Sequence, residues 1–201
     1  MLDLREVAPD EAMAHTMSTG PRLPLSVAET VALRIVSSLK PWCERIEVAG
    51  SIRRKCPDVG DIEIVCVPKM VEAAPASMFE PPEKVCAVNV EIDYLLSSGL
   101  LAPHPVDPKN GQRYKKLWIP HAEIQLDLFI VRPPAEWGPI LTIRTGPAAY
   151  SQALVTGLHP RGLRCEGGRV LDRNDDLVTC PEERDFLRVC GVPWTEPEAR
   201  A

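Results

Sequence analysis

Two neighbouring segments, Val48-Ala49-Gly50-Ser51-Ile52-Arg53-Arg54 and Gly60-Asp61-Ile62-Glu63-Ile64-Val65, carry most of what this sequence predicts. In the first, a short apolar run ends in a Gly-Ser turn that is followed by two arginines. In the second, an apolar run begins with two carboxylates at positions i and i+2. Because side chains alternate faces along a strand, Asp61 and Glu63 are expected to point the same way, roughly 6–7 Å apart. The intervening isoleucines are then expected to point into a buried face.

These residue types suit a metal ion and a phosphate. Carboxylate oxygens side by side repel each other unless a cation lies between them, and hard oxygen ligands favour Mg²⁺ or Mn²⁺. A Gly-Ser turn followed by Arg53 and Arg54 supplies backbone N–H groups, a hydroxyl and guanidinium groups, all of which bind phosphate. A solvated surface strand is the alternative for an isolated Asp-x-Glu sequence.

A third carboxylate lies in a later apolar run. The segment from Ile124 to Val131 contains a single charged residue, Asp127, in a pattern otherwise fit for burial. A carboxylate in such a strand costs several kcal/mol unless something compensates it. A salt bridge is one compensation. If Asp127 instead lies beside Asp61 and Glu63 on one sheet face, the three form a carboxylate site.

Together these motifs resemble the nucleotidyltransferase signature of DNA polymerase beta and other family X DNA polymerases. That family combines Gly-Ser, a basic pair, Gly-Asp-x-Asp on a strand and a third Asp on a neighbouring strand. The resemblance implies an α+β fold, with a palm of mixed, mostly antiparallel sheet backed by helices, then a small α/β thumb. It implies an N-terminal arm over residues 1–24, a palm over 25–132 and a thumb over 133–201.

The order of later motifs agrees with this family. Thr145-Gly146 matches a Thr-Gly turn that introduces the thumb, a hairpin over residues 163–171 matches the thumb's small hairpin, and Glu196-Pro197-Glu198-Ala199-Arg200 matches a closing Glu-Pro-x-x-Arg. Each thumb motif is weak alone. Nothing matches the family's amino-terminal lyase and fingers region, since fewer than fifty residues precede the Gly-Ser turn.

Three positions depart from the family pattern. Glu63 stands where the polymerases usually have Asp, and Gln125 stands where polymerase beta has an Arg near the third Asp. Ile143-Arg144 replaces the aromatic pair before the Thr-Gly turn, where the incoming nucleotide's ribose lies in the family.

The resemblance implies a role for each matched residue. Asp61, Glu63 and Asp127 are the catalytic metal ligands for two Mg²⁺ ions, for which Mn²⁺ can substitute. The nucleotide-binding positions are Gly50, Ser51, Arg53, Arg54, Gly60, Ile143, Arg144 and Gly146. The nucleic-acid contacts are Lys115, Lys116, Arg161 and Arg164. Arg53 is equally readable as a structural cation, and the two lysines as ordinary solvated side chains.

Composition limits the partners. The net charge of −5 argues against a protein that coats nucleic acid non-specifically. Clusters of basic residues such as Arg53-Arg54-Lys55 nevertheless allow a small nucleic-acid-binding surface. No apolar run approaches membrane-spanning length, and the seven cysteines form no C-x-x-C pair. The sequence therefore predicts a monomeric cytosolic protein with reduced thiols and no membrane partner.

Local patterns predict several elements. Ser26 and Glu29 form a capping-box pattern before a helix that ends at Pro41, and Thr179 with Glu182 forms another before a helix through Cys190. A further helix is predicted from Val88 to Leu96. Tyr114 to Ile119 and Ala122 to Val131 are predicted as antiparallel strands joined at Pro120-His121.

Three functions fit the sequence. The first is a template-directed DNA polymerase of reduced size that uses deoxynucleoside triphosphates on gapped duplexes or primer-templates, as in DNA repair. The second is a nucleotidyltransferase that modifies a small molecule, protein or RNA. The third is a nucleic-acid or nucleotide binder without catalytic power, against which the three carboxylates and the Gly-Ser turn argue.

Overall fold

The computed structural model describes residues 21–72 and 83–200, and these form an α+β fold around one mixed sheet. The helices of this part are α1 (Leu25–Leu39), α2 (Gly50–Arg53), α3 (Ala87–Ser97), α4 (Trp137–Thr145), α5 (Ala148–Leu158) and α6 (Glu183–Cys190). The strands are β1 (Leu23–Pro24), β2 (Cys43–Val48), β3 (Asp58–Val59), β4 (Asp61–Pro68), β5 (Met70–Glu72), β6 (Lys84–Cys86), β7 (Ala102–Pro103), β8 (Lys109–Asn110), β9 (Tyr114–Ile119), β10 (Ile124–Ile130), β11 (Arg164–Glu166), β12 (Arg169–Leu171) and β13 (Leu177–Val178).

The main sheet has the strand order β2-β4-β10-β9-β7, and β8 also pairs with β9. Every pair in it is antiparallel except β4 and β10, which run parallel. The predicted mixed, mostly antiparallel sheet is confirmed. So is the hairpin of β9 and β10, which a single 3-10 turn over Pro120–Ala122 connects.

The two faces of β4 and β10 differ in chemistry. Ile62, Ile64 and Leu128 are fully buried in the first core, to which α1 and α3 contribute their apolar sides. Because strand side chains alternate, the carboxylates of Asp61 and Asp127 lie on the opposite face. Helices α1 and α3 therefore back one face of the sheet, and the carboxylates lie on the other face, where Trp137 and Leu141 of α4 cluster with Val65 and Phe129.

The helix α1 forms as predicted, but it does not use the predicted capping box. It begins at Leu25 with Pro24 at its N-cap, two residues earlier than the Ser26 cap requires. Ser26 then lies inside the first turn, where its carbonyl accepts a hydrogen bond from Thr30 Oγ1 at 2.8 Å. Glu29 instead accepts a hydrogen bond from Lys55 Nζ at 2.8 Å.

The last helix, α6, also differs from prediction at its start. It begins at Glu183, and Glu182 and Asp185 form the reciprocal capping box. Thr179 cannot cap it because Pro181 follows Cys180, and a residue before proline avoids the helical region. The helix α3, over Ala87–Ser97, agrees with the prediction.

Residues 137–200 build a second core. Helices α4, α5 and α6 pack with the three-stranded antiparallel sheet β11-β12-β13 around Phe186, Leu158 and Val170. A third apolar cluster, which contains Phe129, Val131 and Trp137, joins this part to the main sheet. The predicted hairpin over 163–171 is confirmed.

The expected arm lies mostly outside the described residues. Its last residues, Leu23–Pro24, form a short strand that pairs with β3, and Leu23 packs against the first core. No helix of the described residues is long and apolar enough to cross a membrane. All seven cysteines are free thiols.

Candidate active site

The three predicted carboxylates lie on adjacent strands, as expected. In the parallel register of β4 and β10, Asp127 is the partner of Glu63, and Gln125 is the partner of Asp61. Neighbouring strands are about 4.8 Å apart, and residues of equal parity share a face. The strand pairing thus brings together two carboxylates that are separated by more than sixty residues in the sequence.

Burial in this site works against the charged forms. Burial raises the pKa of Glu63 to about 8, and the neighbouring charges of Asp61 and Asp127 add to the shift. Burial and the charge of Asp127 raise the pKa of Asp61 to about 6. Burial also raises the pKa of Asp127, although hydrogen bonds from Tyr114 and Gln125 oppose this shift. A cation at this face would favour all three charged forms at once.

The Gly-Ser turn is anchored directly to the second carboxylate strand. Ala49 N–H donates a hydrogen bond to the Glu63 carbonyl at 2.8 Å, and α2 follows at once. Gly50 has a φ of +60° and packs so closely that a Cβ there would lie 2.9 Å from Glu63 Cδ and closer still to Oε2. The Ser51 hydroxyl is buried without a hydrogen-bond partner in the described structure.

We expect Gly50→Ala to damage both the turn and the site. A left-handed φ costs a residue with a Cβ about 1–2 kcal/mol, and here the Cβ would also displace the Glu63 carboxylate. The control is Gly99→Ala, because Gly99 has a φ of +74° and a Cβ there meets nothing within 4 Å. Urea unfolding and Mn²⁺ binding are the measurements: both variants should lose stability, and only Gly50→Ala should lose metal affinity. Equal metal affinity in both variants would contradict the close Gly50–Glu63 packing.

Asp127 is held by two donors that the sequence did not reveal as site residues. Tyr114 Oη donates to Asp127 Oδ1 at 2.8 Å, and Gln125 Nε2 donates to Asp127 Oδ2 at 2.8 Å. Gln125 precedes Asp127 by two residues, so its place on the same face could be anticipated from strand alternation. Tyr114 reaches Asp127 only through the β9–β10 pairing.

The arginine pair joins the Gly-Ser turn to the Thr145-Gly146 turn. Arg53 donates two hydrogen bonds to Glu183, at 2.9 and 2.6 Å, and a third to Thr145 Oγ1 at 2.7 Å. Arg54 donates to the Thr145 carbonyl at 2.6 Å. These contacts favour the alternative in which Arg53 is a structural cation. Arg54 lies close enough to Asp61 and Glu63 to lower their pKa values against the effect of burial.

Three of the remaining predicted nucleotide-binding residues, Ile143, Arg144 and Gly146, lie at this turn, and the fourth, Gly60, lies elsewhere. Ile143 is buried in the second core, and Arg144 is buried with its guanidinium carbon 4.1 Å from the centre of the Phe129 ring. Gly146 packs tightly against α5, since a Cβ there would lie 2.6 Å from Tyr150. Gly60 is buried directly before β4.

The two lysines predicted to contact nucleic acid are not at the surface. Lys115 is 4% exposed and Lys116 is 5% exposed, so ordinary solvation is wrong for both. They lie on opposite faces of β9, since consecutive strand residues alternate. Lys115 is the partner of Leu128, on the face of the first core, and its Nζ donates to Asn110 Oδ1. Lys116 is the partner of Asp127, on the carboxylate face, and forms an ion pair with Asp107. β9 is an interior strand, flanked by β10 on one side and by β7 and β8 on the other, so its side chains are less exposed than those of a two-stranded hairpin.

The two thumb arginines differ from each other. Arg161 is exposed, in the 3-10 turn after α5. Arg164 forms ion pairs with Glu166 and Asp175 and donates to the Asp172 carbonyl at 3.0 Å. A nucleic-acid phosphate would have to compete with these acidic partners for Arg164.

The donor set fits a hard divalent cation, although its side chains do not surround one point. Within residues 21–72 and 83–200, no three His, Cys, Asp or Glu side chains are arranged as a metal-coordinating group. Glu63 is folded against Gly50, and both Asp127 oxygens accept hydrogen bonds within the protein. Carboxylate oxygens are nevertheless the ligand type that Mg²⁺ and Mn²⁺ prefer.

The chain matches no protein-family model, and no curated protein matches it.

Proposed function

We propose that this protein is a family X-like DNA polymerase that transfers a nucleotidyl group from a deoxynucleoside triphosphate to a primer 3′-hydroxyl. The observation that carries the proposal is the side-by-side placement of Asp61, Glu63 and Asp127 on adjacent strands, with the Gly50-Ser51 turn packed against Glu63. A palm over residues 25–132 and a thumb over 133–201 are part of the same proposal.

The three carboxylates would bind the two metal ions in different combinations. Asp61 and Glu63 would hold both Mg²⁺ ions, and Asp127 would hold only the ion beside the primer hydroxyl. The two ions would compensate the charge of the attacking and leaving oxygens in an in-line displacement. Burial first, and then the charges of neighbouring carboxylates, raise the pKa values of Asp61 and Glu63, and a bound cation would offset both effects.

In the transfer itself, the primer 3′-oxygen forms a bond to the α-phosphorus. The bond from the α-phosphorus to the bridging oxygen breaks, and pyrophosphate leaves. The hydroxyl proton passes to Asp127, whose pKa burial raises above that of an ordinary aspartate. An acceptor with a raised pKa is a better base at neutral pH.

Ser51 and Arg54 are proposed to hold the β- and γ-phosphates. The Ser51 hydroxyl is buried and has no partner in the described structure, so a phosphate oxygen would satisfy it. Arg54 uses Nη1 on the Thr145 carbonyl and retains other N–H groups for a phosphate. Arg53 would act indirectly, by fixing the turn through Glu183.

Primer extension tests the proposal directly. The protein is incubated with dNTPs and Mg²⁺ or Mn²⁺ on a gapped duplex, an open primer-template and a bare single strand. We expect template-directed extension on the first two. Failure on all three, together with pyrophosphate release in the presence of RNA, protein or small hydroxyl acceptors, would favour a nucleotidyltransferase with another substrate. Failure without any pyrophosphate release would favour a binder.

The thermal stability of the metal-free protein should fall as the pH rises, because folding raises the pKa values of two site carboxyls. Folding raises the pKa of Asp61 from 3.8 to about 6 and that of Glu63 from 4.5 to about 8. A carboxyl whose pKa rises on folding stabilises the fold at low pH, and this contribution is lost as the pH rises through the folded value. Without metal, these groups should therefore lower the thermal unfolding midpoint between about pH 4 and pH 8.

Because Mg²⁺ binds the charged forms, it should raise the unfolding midpoint more at pH 8 than at pH 5. The measurement is thermal denaturation with EDTA or Mg²⁺ at both pH values. Glu63→Gln is the comparison variant, and it should show a smaller pH-dependent decline without metal. A Mg²⁺ effect of equal size at both pH values would speak against metal binding by these carboxylates.

A further inference from the structure

Tyr114 and Asp127 face each other diagonally across two paired strands. In the β9–β10 register, Tyr114 is the partner of Phe129, and Asp127 lies two residues before Phe129 on the same face. Diagonal neighbours of this kind are within reach of aromatic side chains. Here the Tyr114 hydroxyl donates to Asp127 Oδ1 at 2.8 Å.

The tyrosine ring is itself fixed in place. It stacks on Phe129, with ring centroids 5.1 Å apart and an interplanar angle of 15°. Phe129 in turn carries the Arg144 guanidinium carbon 4.1 Å from its ring centre. Stacking of this kind restrains the ring, so the position of the hydroxyl is determined before any ligand binds.

Both oxygens of Asp127 are therefore held from within the protein. Oδ1 accepts from Tyr114 and Oδ2 accepts from Gln125. A carboxylate with one fixed donor on each oxygen cannot rotate freely about its last bond. Each oxygen keeps a further lone pair that can bind a metal ion or accept a proton. Because the carboxylate is held in place, this lone pair has a fixed direction.

We propose that Tyr114 is a positioning residue that sets the orientation of the Asp127 carboxylate toward the reacting hydroxyl, with the Phe129–Arg144 stack holding its ring. This inference rests on the proposed function for its kinetic consequence. The orientation of the Asp127 carboxylate does not depend on the proposed function. Tyr114 does not touch the substrate and takes no proton.

The alternative is that the Tyr114 hydroxyl only satisfies a buried acceptor. The two roles differ in what removal of the hydroxyl changes. A positioning role changes the catalytic step and leaves nucleotide binding alone, because the triphosphate is assigned to Asp61, Glu63, Ser51 and Arg54. A merely structural role lowers stability and leaves the kcat of the folded protein unchanged.

The test is Tyr114→Phe, which keeps the ring and its stacking. We expect kcat for single-nucleotide insertion to fall about 10–100-fold, the range for a lost hydrogen bond to a charged group. The KM for the incoming nucleotide should stay within twofold. Tyr94→Phe is the matched control, because Tyr94 is 62% exposed on α3, and its kcat should equal that of the wild type.

An infrared measurement keeps the inference testable apart from activity. With ¹³C-labelled aspartate, the carboxylate stretching band of Asp127, identified by its loss in Asp127→Asn, should shift in Tyr114→Phe and not in Tyr94→Phe. A shifted band in a protein that shows no nucleotidyl transfer would reject the proposed function and retain the positioning of Asp127. An unshifted band, or a kcat equal to that of the wild type in a protein that does catalyse transfer, would overturn the inference.

Discussion

Asp127→Asn should reduce nucleotidyl transfer by about a thousandfold, within the range attributed to a lost general base. The substitution keeps the size of the side chain and removes its charge. The new amide cannot accept the hydroxyl proton, and its NH₂ group would face the donor groups of Tyr114 or Gln125. Nucleotide binding with metal should be retained, because that binding is assigned mainly to Asp61 and Glu63.

Single-turnover kinetics and a fluorescent nucleotide titration measure the two quantities separately. Asp61→Asn should weaken both transfer and nucleotide binding, whereas Asp176→Asn, at an exposed position after β12, should change neither. Transfer by Asp127→Asn at the wild-type rate would remove Asp127 from the site. Loss of nucleotide binding in Asp127→Asn would instead show that the metal ligands are divided differently.

The part of this site that follows from strand alternation could be predicted from the sequence. Asp61 and Glu63 differ by two positions, and fully buried Ile62 and Ile64 occupy the alternate positions. Asp127 is the single acid in an apolar run, which similarly indicated a buried carboxylate whose charge must be compensated by a partner. These inferences use a period of two residues, which any strand imposes regardless of its neighbours.

Contacts that depend on strand pairing could not be predicted in this way. Tyr114 reaches Asp127 only because β9 pairs with β10 in one register, and a shift of one residue would turn its ring to the other face. Lys115 and Lys116 were predicted from their charge alone. β9 is an interior strand because β7 and β8 pair with it, and these two-residue strands leave little pattern in the sequence.

Helix ends were predicted less well than helix bodies. Both capping boxes expected from the sequence are wrong, at Ser26 and at Thr179, although α1 and α6 form. In each case a proline lies two residues from the expected cap, Pro24 before Ser26 and Pro181 after Thr179, and proline fixes its own φ and restricts the residue before it. The apolar periodicity that predicts the helix bodies carries no information about this local effect.

Glu183 shows most clearly how a residue without a motif can hold the structure together. Its Oε1 accepts from Arg53 at 2.9 Å and from Arg200 at 2.8 Å, and its Oε2 accepts from Arg53 at 2.6 Å. Burial raises the pKa of Glu183, but the hydrogen bonds from the two arginines outweigh burial and hold it below its ordinary value. One carboxylate thus connects the Gly-Ser turn, α6 and the C-terminal segment.

Glu183→Ala should lower the free energy of unfolding by about 3–5 kcal/mol, the cost of leaving buried charges without their partner. Arg200 is 2% exposed, and its remaining contacts would be the Thr195 carbonyl, at 3.1 Å, and the Trp194 ring, whose centre lies 5.3 Å from the guanidinium carbon. Glu183→Gln keeps one oxygen with two lone pairs as an acceptor, and its free energy of unfolding should fall less than that of Glu183→Ala. Urea unfolding gives the values.

The control for Glu183→Ala is Glu29→Ala, which removes a glutamate from an ion pair with Lys55 at the surface. Exposed pairs contribute little, because water screens them and ordering two long side chains costs entropy. The unfolding midpoint of Glu29→Ala should therefore lie close to that of the wild type. If Glu183→Ala unfolded at the same denaturant concentration as Glu29→Ala, the three-residue network would be no more than another solvated ion pair. A large loss confined to Glu183→Ala would instead show that the buried carboxylate joining Arg53 of the Gly-Ser turn to Arg200 stabilises the fold.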